Sequence, residues 1–304
     1  QLSGKEVAGD VLWRSQGAGR LQARLKQFSL VEAKSADSSS VEEPLRELPG
    51  LDVTVDNFVL RGKALGRLDL LATNRANTWQ IEKLSLGSPD GTLTGDGQWR
   101  PSPAAPDTRL NFKLETANAV KPLYRLGYPA AVRRGRAKLE GSVSWNGPPT
   151  SIHYPTLSGT MSLDAGQGQF AKLEPGVGRL LGIMSLQSLP RRISLDFRDV
   201  FSEGFAFDTI AGEVKVARGV MATENLQIQG PSAKIRMSGD VDLAGETQNL
   251  RVRVQPTLSE TAAVGVALAN PVAGLATLVA QKVLRDPLEQ IFSYEYAVTG
   301  NWED

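Results

Sequence analysis

The chain has 304 residues, with 34 Lys and Arg against 33 Asp and Glu, a formal net charge of +1 and no cysteine. That length can bury a core as one elongated domain or two compact ones. The balanced charge offers no field to attract nucleic acid, and the lack of cysteine excludes a disulfide framework and thiol chemistry.

The chain starts at Gln1 without an initiator Met or a charged-then-apolar leader, which predicts an excerpt or a mature form and leaves room for an anchor upstream. A heptapeptide of the form apolar, x, Gly, x, apolar or Gly, x, apolar then recurs. It reads VAGDVLW at Val7–Trp13, LTGDGQW at Leu93–Trp99, LEGSVSW at Leu139–Trp145, LSGTMSL at Leu157–Leu163, IAGEVKV at Ile210–Val216 and MSGDVDL at Met237–Leu243, with a short form at Val298–Trp302. In a strand the first, third, fifth and seventh positions share a side, so the glycine lies on the apolar face. A glycine there weakens the strand unless another backbone approaches or the strand bends sharply.

The opposite positions are polar: Glu213 and Lys215, then Ser238, Asp240 and Asp242, then Arg251 and Arg253 between Leu250, Val252 and Val254. One apolar and one polar face predict an antiparallel sheet buried on a single side. The irregular spacing of the repeat argues against a tight solenoid and for a meander of unequal hairpins.

In chain order, residues 1–32 read as the end of a preceding β segment, Ala33–Pro44 (AKSADSSSVEEP) as a flexible linker or loop, and residues 45–304 as the main body. Thr116–Leu126 reads as a short helix ended by Gly127, Tyr128 and Pro129. Gly178–Val216 begins with a second helix, whose apolar face is Leu180, Leu181, Ile183, Met184 and Leu186. It then switches to the two-residue rhythm of Ile193, Leu195 and Phe197, resumed at Phe205 and Phe207. Phe205 and Phe207 are odd-numbered, whereas Ile210, Gly212 and Val214 are even. If one strand runs through them, a bulge or bend falls near Asp208.

Within an apolar helical segment at residues 259–286, Thr261–Gln281 is a run of 21 residues without charge, broken at Asn270-Pro271. The proline makes two short hinged helices a better reading than one transmembrane span. They either cap the end of the sheet or dock on a membrane through Val264, Val266, Leu268, Val272, Leu275, Leu278 and Val279.

Catalytic and metal motifs are weak. His153 in SIHYP has no second histidine or cysteine to share a metal with. Gly176, Gly178 and Gly182 precede a helix but lack the alternating β and α context of a nucleotide site. Asp196, Asp199, Glu203 and Asp208 are dense enough for a carbohydrate-active enzyme built on Asp196 and Glu203, but Arg191, Arg192 and Arg198 offer ordinary ion partners. The chain therefore reads as a non-enzyme without cofactor or metal.

The block from Gly178 to Pro256, GRLLGIMSLQSLPRRISLDFRDV through RVRVQP, followed by YAVTGNWED, resembles the C-terminal region of the YhdP proteins in the AsmA-like superfamily. LPGLDVTVDNFVLRGKALGRLDLLA and RLGYPAAVRRGRAKLEGSVSWNGPP are similar to the part preceding it. The resemblance implies a long curved, twisted, mainly β sheet forming an open apolar groove, with a few short helices in it or capping it. It also implies the distal part of a bridge-like carrier of phospholipids across the periplasm of a Gram-negative bacterium. Such a carrier is anchored in the inner membrane by a segment absent here and reaches the outer membrane at its C-terminal end.

On this reading acyl chains lie along Leu139, Val143, Leu157, Met161, Leu195, Phe197, Phe205, Phe207, Val214, Ile235, Met237, Val241, Val252 and Val254. The helix at Leu180–Leu186 plugs or lids that groove. The alternative is a filled β-sandwich that binds an envelope protein and carries no lipid.

Overall fold

The period-two alternation becomes strand wherever the structure, a computed structural model, describes it. Described are residues 2–4, 6–15, 17, 19–30, 49–60, 62–101, 106–125, 132–170, 205–257 and 293–301. The linker at 33–44, the helix at 178–186, the acidic positions 196–203 and the uncharged run 261–281 lie outside them.

In chain order the strands are β1 (Leu2–Ser3), β2 (Val7–Arg14), β3 (Arg20–Leu30), β4 (Gly50–Leu60), β5 (Lys63–Arg75), β6 (Thr78–Ser88), β7 (Gly91–Arg100) and β8 (Asp107–Thr116). Helix α1 (Val120–Arg125) falls inside the predicted Thr116–Leu126. There follow β9 (Val132–Asn146), a 3-10 turn at Tyr154–Thr156, β10 (Ser158–Phe170), β11 (Ala206–Ala217), β12 (Val220–Gln229), β13 (Ala233–Asp242), β14 (Thr247–Pro256) and β15 (Tyr294–Asn301). Strand order in the sheet follows chain order. Two compact units divide the chain: Gln1–Pro129 with Arg136–Ser162 and Lys215–Gly219, and Ala130–Gly135 with Leu163–Val214 and Val220–Asp304.

In the first unit one pair departs from the antiparallel expectation. β3 and β4 run parallel, with Arg20 opposite Gly50 and Leu30 opposite Leu60. A hairpin cannot join parallel neighbours, which need a crossover of about a dozen residues or more. The polar sequence between the two strands provides that length.

Ala23, Leu25, Val55, Phe58 and Leu68 form the core where β3, β4 and β5 meet, with Phe28 packed on Phe58 at 6.1 Å between ring centroids. Ala76 and Asn77, both at positive φ, close the two-residue hairpin between β5 and β6.

The other face of these strands carries ion pairs. Asp52 meets Arg24 at 2.8 Å, and Asp69 accepts hydrogen bonds from Arg67 at 3.3 Å and Thr54 at 3.2 Å. Partial burial acts to raise the Asp69 pKa, but the bonds from Arg67 and Thr54 and the charges of Arg67 and Lys83 outweigh it and hold the carboxyl below its ordinary value. A depressed carboxylate stabilises the fold above its unfolded pKa, and that contribution is lost as pH falls through the folded value. Arg67→Gln is expected to raise the Asp69 pKa towards 3.8 in an NMR titration. An unchanged titration would remove Arg67 as the cause.

In the second unit β12, β13, β14 and β15 pair antiparallel as the meander predicts. The parity slip is present within β11, where Phe207 and Ile210 are buried and the two residues between them, Asp208 and Thr209, are exposed. An extra residue inserted in this way restores the apolar positions to the same face after the break. β12 has a similar irregularity between Thr223 and Leu226. Phe205 is almost fully buried, its carbonyl accepts the Phe170 N–H at 2.8 Å, and the Phe170 and Phe207 rings lie 4.9 Å apart.

Candidate functional site

The surface that could act on another molecule is the apolar face, and register decides which residues share it. In the second unit, successive rows across the strands are Ile228, Ile235 and Val254, then Leu226, Met237, Val252 and Tyr296. Gly239, Leu250 and Val298 follow, then Met221, Val241 and Gln248. Ile228, Ile235, Met237, Leu250, Val252 and Val254 are buried, while Met221, Val241, Tyr296 and Val298 are half-buried. Gln227, Lys234, Arg236, Asp240, Arg251 and Arg253 alternate with these positions and therefore occupy the opposite face.

The first unit shows the same rows. Leu93, Leu114 and Leu139 align, then Gly95, Phe112 and Gly141, then Gly97, Leu110 and Val143, then Trp99, Thr108 and Trp145. Trp79 pairs with Trp99, their rings 4.9 Å apart. Trp79 donates its indole N–H to the Pro49 carbonyl at 2.7 Å and Trp145 to that of Pro148 at 3.1 Å. These bonds secure the aromatic row at its polar ends.

The repeat glycines have a physical reason on this face. At Gly9, Gly95, Gly141, Gly159, Gly212 and Gly239 a Cβ would come within 3.0 Å of backbone in the neighbouring strand. The close approach that a strand glycine implies is therefore realised at every full repeat.

Of the groove positions read from sequence, Val143, Leu157, Phe205, Phe207, Ile235, Met237, Val252 and Val254 are buried, and Leu139, Met161, Val214 and Val241 are half-buried. Register brings Ile235 to Val254 and Met237 to Val252. Leu157 precedes β10 and follows the 3-10 turn, where its carbonyl accepts the Gly219 N–H at 2.8 Å. Leu195, Phe197, the helix positions Leu180, Leu181, Ile183, Met184 and Leu186, and the membrane set Val264, Val266, Leu268, Val272, Leu275, Leu278 and Val279 lie outside the described residues.

Sequence reasoning passed over Val55, Phe58, Leu68, Ala72 and Ile81, all buried. Alternation in LDVTV and RLDLLA was the signal that could have found Val55, Leu68 and Ala72.

His153 is exposed beside the 3-10 turn, its Nδ1 2.9 Å from the Thr156 hydroxyl. Among the described residues no group of three or more His, Cys, Asp or Glu could hold a metal ion. No helix among them is long and apolar enough to cross a membrane.

Rows of apolar side chains on one face and charges on the other define a class: a mainly β protein whose sheet is apolar on one side and polar on the other. The family model described as YhdP protein matches residues 1–304, and the chain belongs to the YhdP family. It is 26% identical over 314 residues to the intermembrane phospholipid transporter YhdP of Escherichia coli (strain K12), covering 100% of this chain and 25% of that relative. The chain thus spans a quarter of the length of the curated relative it matches. No solved structure matches it.

Proposed function

We propose that the chain is the distal part of a longer, bridge-like carrier that moves phospholipid through the periplasm from inner to outer membrane, and that it does so without catalysis or a cofactor. Acyl chains lie on the apolar face while head groups stay in water, and the direction of flow is set elsewhere. The segment at 259–286 meets the outer membrane.

The observation that carries this reading is the set of cross-strand apolar rows, backed on the other face by charge, in a chain of the YhdP family. Two features favour it over a filled sandwich. The described strands belong to a single sheet, whereas a sandwich closes two. The rows also keep half-buried members, among them Leu93, Leu110, Leu114 and Leu139 in the first unit and Met221 and Val241 in the second.

The test is photocrosslinking from unnatural residues at Val241 and Val252, compared with Asp240 and Arg251. Lipid adducts are expected at the first two positions. Equal labelling on both faces would sink the proposal.

A further inference from the structure

The tryptophans of this chain are gathered at one place. Four of its five, Trp13, Trp79, Trp99 and Trp145, belong to the first unit, and each stands one residue from the end of its strand. Register brings those ends to the same side of the sheet. Trp79, Trp99 and Trp145 share a row with Thr108, and Trp13, opposite Leu21, leads by register to Ile81 in the row behind.

The far end of the same face is different. Six residues along β7, β8 and β9 the row is Leu93, Leu114 and Leu139, with Leu86 beside it on β6, and none of these side chains has a hydrogen-bonding group. The face thus has a direction, aliphatic at one end of the strands and indole at the other. Indole suits a boundary between apolar and wet surroundings because its body is apolar and its N–H needs an acceptor. Trp79 and Trp145 donate theirs to the Pro49 and Pro148 carbonyls. Between them the Trp99 indole nitrogen is buried and has no acceptor among the described residues. A buried donor left unpaired is costly, and a bound acceptor would relieve it.

Charge follows the same direction. One step beyond the tryptophan row, Arg75 stands opposite Thr78 and Arg100 opposite Asp107. Only β6 separates the strands of the two arginines, which places their backbones about 10 Å apart. Both are exposed. Arg75 has no ion partner among the described residues, and Arg100, at 3.4 Å, shares Asp107 with Arg109 at 3.5 Å. At the leucine end, Lys121 is paired with Asp90, Lys113 with Glu115 and Lys138 with Glu140. Length fits as well. Six residues of strand span about 20 Å, and a lipid tail reaches about 15 Å, half of a bilayer's hydrocarbon core.

We infer that a phospholipid on the first unit lies along the strands in one direction, its tails on the leucine row and its ester and phosphate groups at the tryptophan row. This rests on the lipid-carrying reading and adds an orientation to it. A small turn of the half-buried Trp99 ring lets an ester carbonyl oxygen accept its N–H, while Arg75 and Arg100 donate to the phosphate.

The test uses two photoreactive phosphatidylcholines, one with a diazirine in the head group and one with it at the tail end. Each is bound at saturation to the whole chain, and the adducts are mapped by mass spectrometry. The head-group probe is expected on β6 and β7 near Trp79 and Trp99, and the tail probe near Leu93, Leu114 and Leu139. Trp99→Phe keeps a ring but removes the unpaired donor. It should cut the preference of the head-group probe for the tryptophan row over the leucine row about fivefold. Arg75→Gln combined with Arg100→Gln should cut that preference about tenfold or more. A merely structural loss would lower the adducts at both rows together and leave the preference as it was.

A head-group probe that labels both rows equally, or the leucine row more strongly, overturns the inference. So does a preference unchanged in both variants. The two readings fail separately. Adducts from both probes without an orientation leave the carrier standing, whereas no adducts on the first unit, together with equal labelling at Val241 and Asp240, remove the carrier and this inference with it.

Discussion

Gly239→Val is expected to cost the protein about 4 kcal/mol or more and to lower its thermal midpoint by about 8–16 °C. Gly239 has φ +128, a conformation that L side chains rarely adopt. A Cβ there would run into the Asn249 carbonyl oxygen and lie 2.9 Å from the Leu250 Cα. Both obstacles are backbone in the paired strand, so relief requires β13 and β14 to part, and with them the rows at Met237–Val252 and Val241–Gln248. Circular-dichroism melting gives the comparison. Gly87→Ala, where a Cβ meets nothing within 4 Å, should stay within about 0.5 kcal/mol of wild type. If the two variants melt alike, close backbone approach is not what the repeat glycine provides.

Val241→Asp is expected to leave the protein folded and to empty it of lipid. Val241 is half-buried, opposite Met221 on one side and Gln248 on the other. Its carboxylate keeps some water, and the folding cost should stay at about 1–3 kcal/mol. An acyl chain crossing that row would have to desolvate the charge, and a penalty of about 1.4 kcal/mol already reduces occupancy tenfold. Lipid extracted from the purified variant should therefore fall at least about tenfold. Asp240→Asn on the opposite face should change nothing, and a fully loaded Val241→Asp protein would exclude this face as the lipid path.

Much of this architecture was legible in the residues because a strand has a strict period. Phe207 and Ile210 lie three apart, and one strand can bury both on a single face only by inserting an extra residue between them, as the exposed pair Asp208 and Thr209 does. The glycine at the third position of each repeat announced a bend or a backbone approach before any partner was known. What alternation cannot name is the partner. The parallel pairing of β3 with β4 depends on how the chain crosses between them, and the composition of Ala33–Pro44 carries no record of that path. The stagger at Val55, Phe58 and Gly66 between β4 and β5 likewise follows from how two strands accommodate each other.

The sequence by itself determined that this is a β protein with one apolar and one charged face and glycines at repeated places on the apolar one. Side-chain direction in a strand is local and needs no partner to be read. Only the tertiary structure decided which rows align. It placed Met237 against Val252 and set Arg236 against Arg253, cations 17 positions apart in the chain but face to face in the sheet. Register is a property of two strands at once, fixed by turns, bulges and the packing of the whole face.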